Sequence, residues 1–508
     1  MVDVTVKMIP LAMVVGIFLL FIISGLRTGK KQAVEYGFGG GHSGKIGIGA
    51  AIASNWMSAA SFLGMAGMFY LKGYYAMAFV VGWTGGYVLL LVLMATQIRR
   101  FGKYSAPDFV GYRYESATAR TLAALISILI AVIYITAQFK GIALLVSWLF
   151  GIAYAPSVII GASLVVGFVV ISGTMGVARN QRLSYFVLII AFILPLMLLT
   201  RKLGYFWLLP QFGYGEAIAE LHSQFDFSWS EPFAKNTLYS WLALCFTLMF
   251  GTAGLPHVLS RFYMAPGMRD ARWGVVWGLF FIALIYWSAP AYGVLGRLFE
   301  ARSGIPFSTD PASADMIVLT AASYGGLPLW VAGLLAAGGM SAAFSTVAAL
   351  LLTGSASFSY DIYPRLIRKN ASEHDKLFAA KGFFLLLSLV SMFFALHSGR
   401  MMIAEIAALA FALAGNTIFP AFLLGIWWKR ANSTGVIAGM ASGLFITFAP
   451  LLAGSSSTLG ALLPLTSSAF LGAPVVVCIM MVVSLFSAPP STEITSFLNR
   501  TVHNNPEE

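Results

Sequence analysis

The segment Ala53-Ser-Asn-Trp-Met-Ser-Ala-Ala-Ser-Phe-Leu-Gly-Met-Ala-Gly67 lies inside a long apolar run and is rich in small and hydroxyl-bearing residues. A second segment of this kind, Phe250-Gly-Thr-Ala-Gly-Leu-Pro-His257, lies in a later apolar run. A helix that faces only lipid needs few Gly, Ser, Thr or Pro residues beyond those used for close helix packing. We therefore predict two membrane helices that are interrupted near their midpoints.

The composition indicates that lipid is the solvent of this chain. Of its 508 residues, 59% are hydrophobic and 10% are charged, whereas soluble domains average about 45–50% apolar and about 25% charged residues. Spanning segments are either helices of about 20 apolar residues or barrel strands with about ten residues of alternating polarity. The apolar runs here are long and continuous, so the sequence predicts an all-α membrane protein.

The hydropathy pattern predicts thirteen spans. They lie at about 8–26, 46–71, 76–98, 121–149, 156–177, 184–200, 237–260, 274–296, 327–352, 378–397, 402–427, 435–453 and 467–487. The first run ends on Arg27, Lys30 and Lys31, the wrong flank for a cleaved signal peptide, so we expect it to be a retained helix.

The basic residues predict an orientation. With the N-terminus outside, 22 of the 31 Lys and Arg residues fall on the inner side, as the positive-inside rule requires of cytoplasmic loops. The formal net charge of +12 is then a topology signal, and we expect no nucleic-acid partner. The sequence predicts a multi-pass protein of the plasma membrane, such as a bacterial inner membrane, with a cytoplasmic C-terminus.

The two interrupted spans are the second and the seventh, an offset of five that predicts two five-helix repeats of opposite membrane orientation. In such transporters, broken helices at matching positions surround a substrate site at the bilayer midplane. The predicted organisation has five parts: an extra helix and loop (1–43), the first repeat (44–205), an extracytoplasmic loop (206–235), the second repeat (236–430), and two further helices with a short tail (431–508).

Hydroxyl groups near the first interruption predict an ion site. In the ninth span, Ala342, Ser345 and Thr346 share one helix face by their spacing. One face of the second span likewise carries Ser54, Met57, Ser58 and Ser61. Hard cations prefer oxygen ligands. Hydroxyls in helices, however, commonly bond back to the preceding turn. The pattern alone does not decide between an ion site and hydroxyls that bond within their own helices.

Lys140 is the most unusual residue, because it lies in the middle of a predicted span, in Ala137-Gln-Phe-Lys-Gly-Ile-Ala143. A lysine at the bilayer centre costs about 2.5–3.5 kcal/mol on insertion scales. It either attracts an anionic solute or has a structural role, by snorkelling to the outer face or by pairing with a carboxylate.

Several enzyme classes lack their motifs here. The sequence has no Walker motif, dinucleotide fingerprint or metalloprotease helix, so we predict that the chain is not an enzyme. Cys245 and Cys478 both fall in predicted helices, which supports neither a disulfide framework nor a zinc site.

Four blocks of the sequence form a recognisable set. They are Ile52-Ala-Ser-Asn-Trp-Met-Ser-Ala-Ala-Ser-Phe-Leu-Gly64, Phe250-Gly-Thr-Ala-Gly-Leu-Pro-His-Val-Leu-Ser-Arg-Phe262, Ala342-Ala-Phe-Ser-Thr346 followed by Tyr360-Asp-Ile-Tyr363, and Trp427-Trp-Lys-Arg430 with Gly435, Gly439 and Gly443. Together they resemble the sodium:solute symporter family, in particular its acetate-permease-like, monocarboxylate branch. The chain departs from the family pattern at Gly173-Thr174, often Gly-Gly, and at Gly435-Val436, usually Gly-Ala.

The resemblance implies a ten-helix inverted-repeat core of the leucine-transporter type, with one helix before it and two after. It also implies sodium as the coupling ion. The implied sodium ligands are main-chain oxygens of Ser54, Met57 and Ala342 and the hydroxyls of Ser345 and Thr346. The implied substrate cavity is bordered by Ser58, Ser61, Gln138, the break that contains Gly251 and Thr252, and Asn416; Lys140 is a further candidate.

The predicted function is sodium-coupled symport of a small organic solute by alternating access, and the resemblance favours a short monocarboxylate. The partners expected are this solute and the lipid bilayer, with no obligate protein partner. A proton-coupled transporter is the first alternative. A transport-like membrane sensor is the second.

Overall fold

In the computed structural model of this chain, the structure describes residues 7–26, 45–101, 105–225, 231, 233, 237–263, 268–454 and 457–499. All regular elements among these residues are helices. The first eight are α1 (Met8–Leu26), α2 (Lys45–Trp56), α3 (Met65–Lys72), α4 (Met77–Leu93), α5 (Ala95–Phe101), α6 (Ala106–Arg113), α7 (Ala117–Phe150) and α8 (Tyr154–Lys202).

The later part of the described chain contributes fourteen helices. The first eight are α9 (Pro210–Phe225), α10 (Leu238–Gly254), α11 (Pro256–Tyr263), α12 (Met268–Arg302), α13 (Pro311–Asp315), α14 (Ile317–Tyr324), α15 (Leu329–Ala356) and α16 (Glu373–Leu396). The last six are α17 (Ile403–Asn416), α18 (Ile418–Trp427), α19 (Ser433–Ala453), α20 (Thr458–Leu462), α21 (Ala469–Leu485) and α22 (Thr492–Leu498). Two π-helical segments, Ala60–Gly64 and Ser357–Ile367, and a 3₁₀ turn, Gly73–Ala76, join neighbouring helices.

Within the described residues, nine segments are long and apolar enough to cross a membrane, and α1, α10 and α21 contain shorter apolar stretches. The chain is therefore a multi-pass membrane protein, as its composition predicts. The count of thirteen spans and the two inverted repeats stay predictions.

The longest element, α8, has 49 residues, and as one straight helix it would be about 74 Å long at 1.5 Å per residue, more than twice the roughly 30 Å of a bilayer core. At its start the Tyr154 hydroxyl donates to the carbonyl oxygen of Ala395 at 2.9 Å. At its other end Lys202 Nζ donates to the carbonyl oxygen of Gly326 at 3.0 Å. Ala395 and Gly326 lie at the same end of the bundle, because α15 and α16 run antiparallel across a short connection. Because both of its ends lie at one end of the bundle, α8 is not one straight helix. Its two apolar segments, Tyr154–Ile171 and Leu183–Lys202, cross the bundle in opposite directions, like the spans predicted at 156–177 and 184–200.

The centre of the bundle is formed by α15 and by α17 with α18, whose most apolar windows are 94% and 89% buried. The equivalent window of α16 is only 22% buried, so α16 lies at the lipid-facing edge. Around the centre, α12 packs on α2, α10 packs on α4 and α17, and α15 packs on α7 and α8. This arrangement places the interrupted second span between the most deeply buried helices.

Candidate functional site

The first interruption lies between α2 and α3. Met57 and Ser58 are not helical, and the π-helical segment Ala60–Gly64 follows them. The amide of Ala59 donates to Gln138 Oε1 of α7 at 2.7 Å, so a side chain from another helix satisfies this backbone group. In lipid, non-helical backbone is tolerated only where protein or water supplies such partners. The break is therefore a built feature of the bundle.

The second interruption lies between α10 and α11. Leu255 is extended, with φ −69° and ψ 120°, and α11 starts at Pro256. Proline lacks an amide hydrogen and disfavours the helical conformation in the residue before it. The interruption predicted in this segment is therefore present in the backbone, but it lies at Leu255, and Gly251 and Thr252, which the predicted break contained, are helical.

The five predicted sodium ligands lie together between α2 and α15. Ser345 Oγ is 2.9 Å from the carbonyl oxygen of Ser54 and 3.0 Å from that of Ala342, and its one hydrogen can be donated to either. Thr346 Oγ1 is 3.2 Å from the carbonyl oxygen of Ala342 and 3.3 Å from that of Met57. We call this group of three carbonyl and two hydroxyl oxygens the oxygen cage.

The chemistry of the oxygen cage fits a monovalent cation. Its oxygens are all neutral, and the five residues are buried, with at most 6% of each exposed. Tight calcium and magnesium sites use carboxylates, and the described residues contain no group of three or more His, Cys, Asp or Glu that suits a metal ion. The carbonyl oxygens of Ser54 and Met57, which lie beside the interruption, supply neutral ligands, whereas a divalent ion would need carboxylates.

Next to the oxygen cage lies a set of buried polar side chains, which we call the polar patch. The Trp56 indole donates to the Tyr286 hydroxyl at 2.6 Å, and that hydroxyl is 3.2 Å from Ser61 Oγ. The Tyr134 hydroxyl donates to Ser58 Oγ at 3.3 Å. Two predicted substrate residues, Ser58 and Ser61, are thus brought together with aromatic residues that carry hydrogen-bonding groups.

Tyr134 and Tyr286 are not among the substrate-site residues predicted from the sequence. Both lie in the middle of long apolar helices and are 2% or less exposed. A buried tyrosine hydroxyl needs a hydrogen-bond partner. A tyrosine in the middle of an apolar helix therefore indicates that other polar groups lie beside it. Tyr134 also precedes Gln138 by four residues, which puts both on one face of α7.

Lys140 does not share the face of α7 that carries Tyr134 and Gln138. It follows Gln138 by two residues, and residues two apart on a helix point about 200° apart. Its Nζ donates to the carbonyl oxygens of Gly399 at 3.0 Å and Met401 at 2.5 Å. In the structure, Lys140 thus contacts the loop that leads into α17.

Gly251 and Thr252 lie in helix contacts. A Cβ at Gly251 would be 2.4 Å from the carbonyl oxygen of Phe411 in α17. Thr252 packs against Gly86 of α4, and its hydroxyl donates to the carbonyl oxygen of Leu248 at 2.7 Å. The structure shows these two residues in packing roles.

Asn416 points towards the C-terminal helices. Its Nδ2 donates to Thr447 Oγ1 of α19 at 2.9 Å and to Ser468 Oγ, next to α21, at 3.1 Å. Gly443 and Gly472 allow these helices to approach, because a Cβ at either position would lie 2.0–2.2 Å from an Asn416 oxygen. The structure does not bring Asn416 to the polar patch.

Asn416→Ala is therefore expected to lower stability without changing solute affinity. Losing two buried hydrogen bonds costs about 1–3 kcal/mol, which a thermal unfolding midpoint in detergent detects. The solute concentration for half-maximal uptake should stay within about twofold of wild type. A rise of tenfold in that concentration, with an unchanged midpoint, would return Asn416 to the substrate site.

The loop helix α13 packs on α3, the second half of the first interrupted helix. A Cβ at Gly67 would lie 2.7 Å from the carbonyl oxygen of Ala314. The next residue, Asp315, is fully buried, and its Oδ2 accepts from the amide of Ile403 at the start of α17 at 3.0 Å. Lys72 of α3 also pairs with Glu405 of α17 at 2.8 Å. These contacts tie α3, α13 and α17 together at one end of the bundle.

Burial raises the pKa of Asp315 to about 7, although the amide of Ile403 and the charge of Lys140 oppose the shift. The folded protein thus binds a proton more tightly than the unfolded chain, whose ordinary pKa is near 4. Stability is then expected to fall as pH rises from about 4 to about 7.

Asp315→Asn should flatten this pH dependence, because asparagine keeps an acceptor for the amide of Ile403 and carries no proton to lose. The measurement is the thermal midpoint between pH 5 and pH 8. Asp310→Asn, an exposed carboxylate at the start of α13, is the matched control. A variant profile as steep as that of wild type would contradict the assignment.

The opposite end of the bundle is held by Arg113 of α6, which is fully buried. Its guanidinium donates to the carbonyl oxygens of Gly425 at 2.6 Å, Ala431 at 3.0 Å and Trp428 at 3.0 Å. Burial lowers the pKa of Arg113, yet three carbonyl acceptors compensate the charge. The sequence block from Trp427 to Arg430 thus lies at a contact between α6 and the end of α18.

The chain matches known transporters over most of its length. It is 30% identical to the uncharacterised symporter YwcA of Bacillus subtilis, over 85% of this chain and 83% of that protein. It is 27% identical to an uncharacterised symporter of Cupriavidus necator, over 89% of this chain and 88% of that protein. A solved structure of a Na⁺-coupled sialic acid symporter, in a substrate-bound outward-open state, superposes with a TM-score of 0.74 at 18% identity and covers 95% of this chain and 99% of that chain.

The structural likeness shows a shared fold, and the sequence matches show the relationship. A family model described as the sodium:solute symporter family matches residues 36–443. The chain therefore belongs to the sodium:solute symporter family, and it is a transporter rather than an enzyme.

Proposed function

We propose that this protein imports a small organic solute together with sodium by alternating access. The observation that carries the proposal is the oxygen cage, in which Ser345 and Thr346 of α15 meet carbonyls of the interrupted second span at 2.9 and 3.3 Å. Family membership supports sodium as the coupling ion. Sodium and the solute are both cargo in this proposal.

Coupling follows from the position of the interruption. Ser54 and Met57 supply carbonyls to the oxygen cage, and Ser58, the next residue in the chain, belongs to the polar patch. An ion that orders this segment also orders the groups that meet the solute. Binding free energies are then linked in both directions, so solute must tighten sodium binding by the same factor.

The polar patch, together with Gln138, which accepts from the amide of Ala59 next to Ser58, suits a solute that accepts hydrogen bonds, such as a short monocarboxylate. Gln138 is fully buried, and its Nε2 has no hydrogen-bond partner among the described residues, although its Oε1 is occupied by the amide of Ala59. A buried donor of this kind is costly to leave unpaired. We propose that the solute carboxylate accepts from Gln138, with Ser58 and Ser61 beside it.

Orientation is proposed from the basic residues. The end that carries Asp315 and Lys72 faces outside, and the end that carries Arg113 faces the cytoplasm, as the positive-inside rule favours. Inward sodium movement then runs with the membrane potential, which contributes about 2.3 kcal/mol per charge per 100 mV.

A substrate screen tests the solute class. Purified protein in proteoliposomes is given an inward sodium gradient and radiolabelled short monocarboxylates, amino acids or sugars. The proposal expects sodium-stimulated accumulation of a monocarboxylate and none of a sugar. Accumulation of amino acids or sugars alone would overturn the monocarboxylate assignment and leave the sodium coupling standing.

A further inference from the structure

A groove of about 730 Å³ opens on the surface of the bundle, at the end that also carries Arg113. It lies between the start of α7 and the end of the π-helical segment Ser357–Ile367. This groove is remote from the oxygen cage and the polar patch, and the transport mechanism does not use it.

The groove is apolar along the membrane and basic at its aqueous end. Leu122 and Leu125 of α7 and Leu366 line it, and the side chains of Leu125 and Leu366 are 51% and 66% exposed. Arg365 and Lys369 also line it, and the remaining lining residues are Ala117, Thr118, Thr121 and Pro364. Lys369 lies two residues after Ile367, the last residue of the π-helical segment, so its cationic group lies where the chain leaves the bundle.

Neither of these two basic residues forms an ion pair within 4 Å among the described residues, although the carboxylates of Asp361 and Asp108 attract Arg365 from a longer distance. Their neighbours Arg368 and Lys376 pair with Asp375 and Glu373, both at 2.7 Å. In contrast, Arg365 donates only to main-chain carbonyl oxygens, at 3.1 and 3.3 Å. The lining of the groove therefore contains two cationic side chains and no carboxylate, beside an exposed apolar surface.

We propose that this groove binds an anionic phospholipid, with the phosphate at Arg365 and Lys369 and one acyl chain along Leu122, Leu125 and Leu366. Basic pockets between membrane helices at the cytoplasmic side bind anionic headgroups in this way. The start of α7 adds to the attraction, since the N-terminal end of a helix carries partial positive charge. A free phosphate would use the two cations but would leave the apolar lining uncovered.

Native mass spectrometry tests the site directly. The full chain, in a neutral detergent, is mixed with equal amounts of phosphatidylglycerol and phosphatidylcholine, and the retained lipids are counted. Wild type is expected to retain phosphatidylglycerol in preference, and Lys369→Gln should weaken that retention about fivefold. Lys376→Gln, whose charge is already paired, is the matched control and should retain the lipid as wild type does.

Two further arms separate the parts of the site. Glycerol phosphate, a headgroup without chains, should fail to displace the lipid. Leu125→Trp, at an exposed position, should fill the apolar part and reduce lipid retention at an unchanged thermal midpoint. Equal retention of the two lipids, equal losses in Lys369→Gln and Lys376→Gln, displacement by glycerol phosphate, or full retention by Leu125→Trp would each overturn the proposal.

Discussion

Replacing Ser345 and Thr346 together with alanine is expected to raise the sodium concentration for half-maximal uptake at least about tenfold. The substitution removes both hydroxyls of the oxygen cage and leaves its three carbonyls. A hydrogen bond or ligand to a charged group contributes about 1.5–3 kcal/mol, and each 1.4 kcal/mol is a factor of ten in an equilibrium constant. Sodium titration of solute uptake, at saturating solute, measures the change.

Ser341→Ala is the matched control for this variant. Ser341 lies one helical turn before Ser345 and is equally buried, but its hydroxyl donates to the carbonyl oxygen of Ala337 in its own helix at 2.7 Å. Its loss should leave the sodium requirement within about twofold of wild type. An unchanged sodium requirement in the double variant, or an equal rise in Ser341→Ala, would remove both hydroxyls from the ion site.

Gln138→Glu is expected to raise the half-maximal concentration of a monocarboxylate about 10- to 100-fold. The new side chain keeps an acceptor for the amide of Ala59, which Gln138 Oε1 occupies at 2.7 Å. It replaces the amide donor with a second acceptor that repels the solute carboxylate. Solute titration of uptake at saturating sodium measures this effect.

Gln138→Leu separates solute binding from support of the interruption. It removes the acceptor as well as the donor, and so leaves the amide of Ala59 unsatisfied. We expect it to disturb the sodium requirement and the solute requirement together, whereas Gln138→Glu should change mainly the solute requirement. If Gln138→Glu binds the monocarboxylate as wild type does, Gln138 does not contact the solute.

The interruptions and the oxygen cage were the parts most accessible from the sequence. Clusters of small residues and Leu255-Pro256 are local signals, and local chemistry decides where a helix breaks. Spacing placed Ser345 and Thr346 on one face of α15, but spacing does not say which helix that face meets. The family resemblance supplied the facing carbonyls of Ser54 and Met57.

Side-chain direction within the buried helices was less predictable. In α17 nearly every residue is buried, so apolar periodicity does not distinguish a face towards the substrate from a face towards another helix. This is why Asn416 was predicted at the cavity, while the structure turns it towards α19 and α21. Lys140 posed the same problem, since its partners are carbonyls of a loop more than 250 residues later.

The contacts at the two ends of the bundle could not be predicted from the sequence near each residue. Asp315 accepts from an amide 88 residues away, and Arg113 donates to a carbonyl 312 residues away. Neither residue stands in a motif, because the geometry that justifies its burial is created only by the folded bundle. Residues such as Asp315 and Arg113 are recognised in the folded structure, where their charged groups are buried.

Solute accumulation in proteoliposomes under an imposed sodium gradient tests the central claim most directly. Internal and external pH are equal, the membrane potential is clamped, and choline replaces sodium in the paired sample. We predict accumulation of the solute above its external concentration with the inward sodium gradient and simple equilibration with choline. Equal accumulation in both samples, or accumulation driven by a proton gradient without sodium, would contradict sodium-coupled symport.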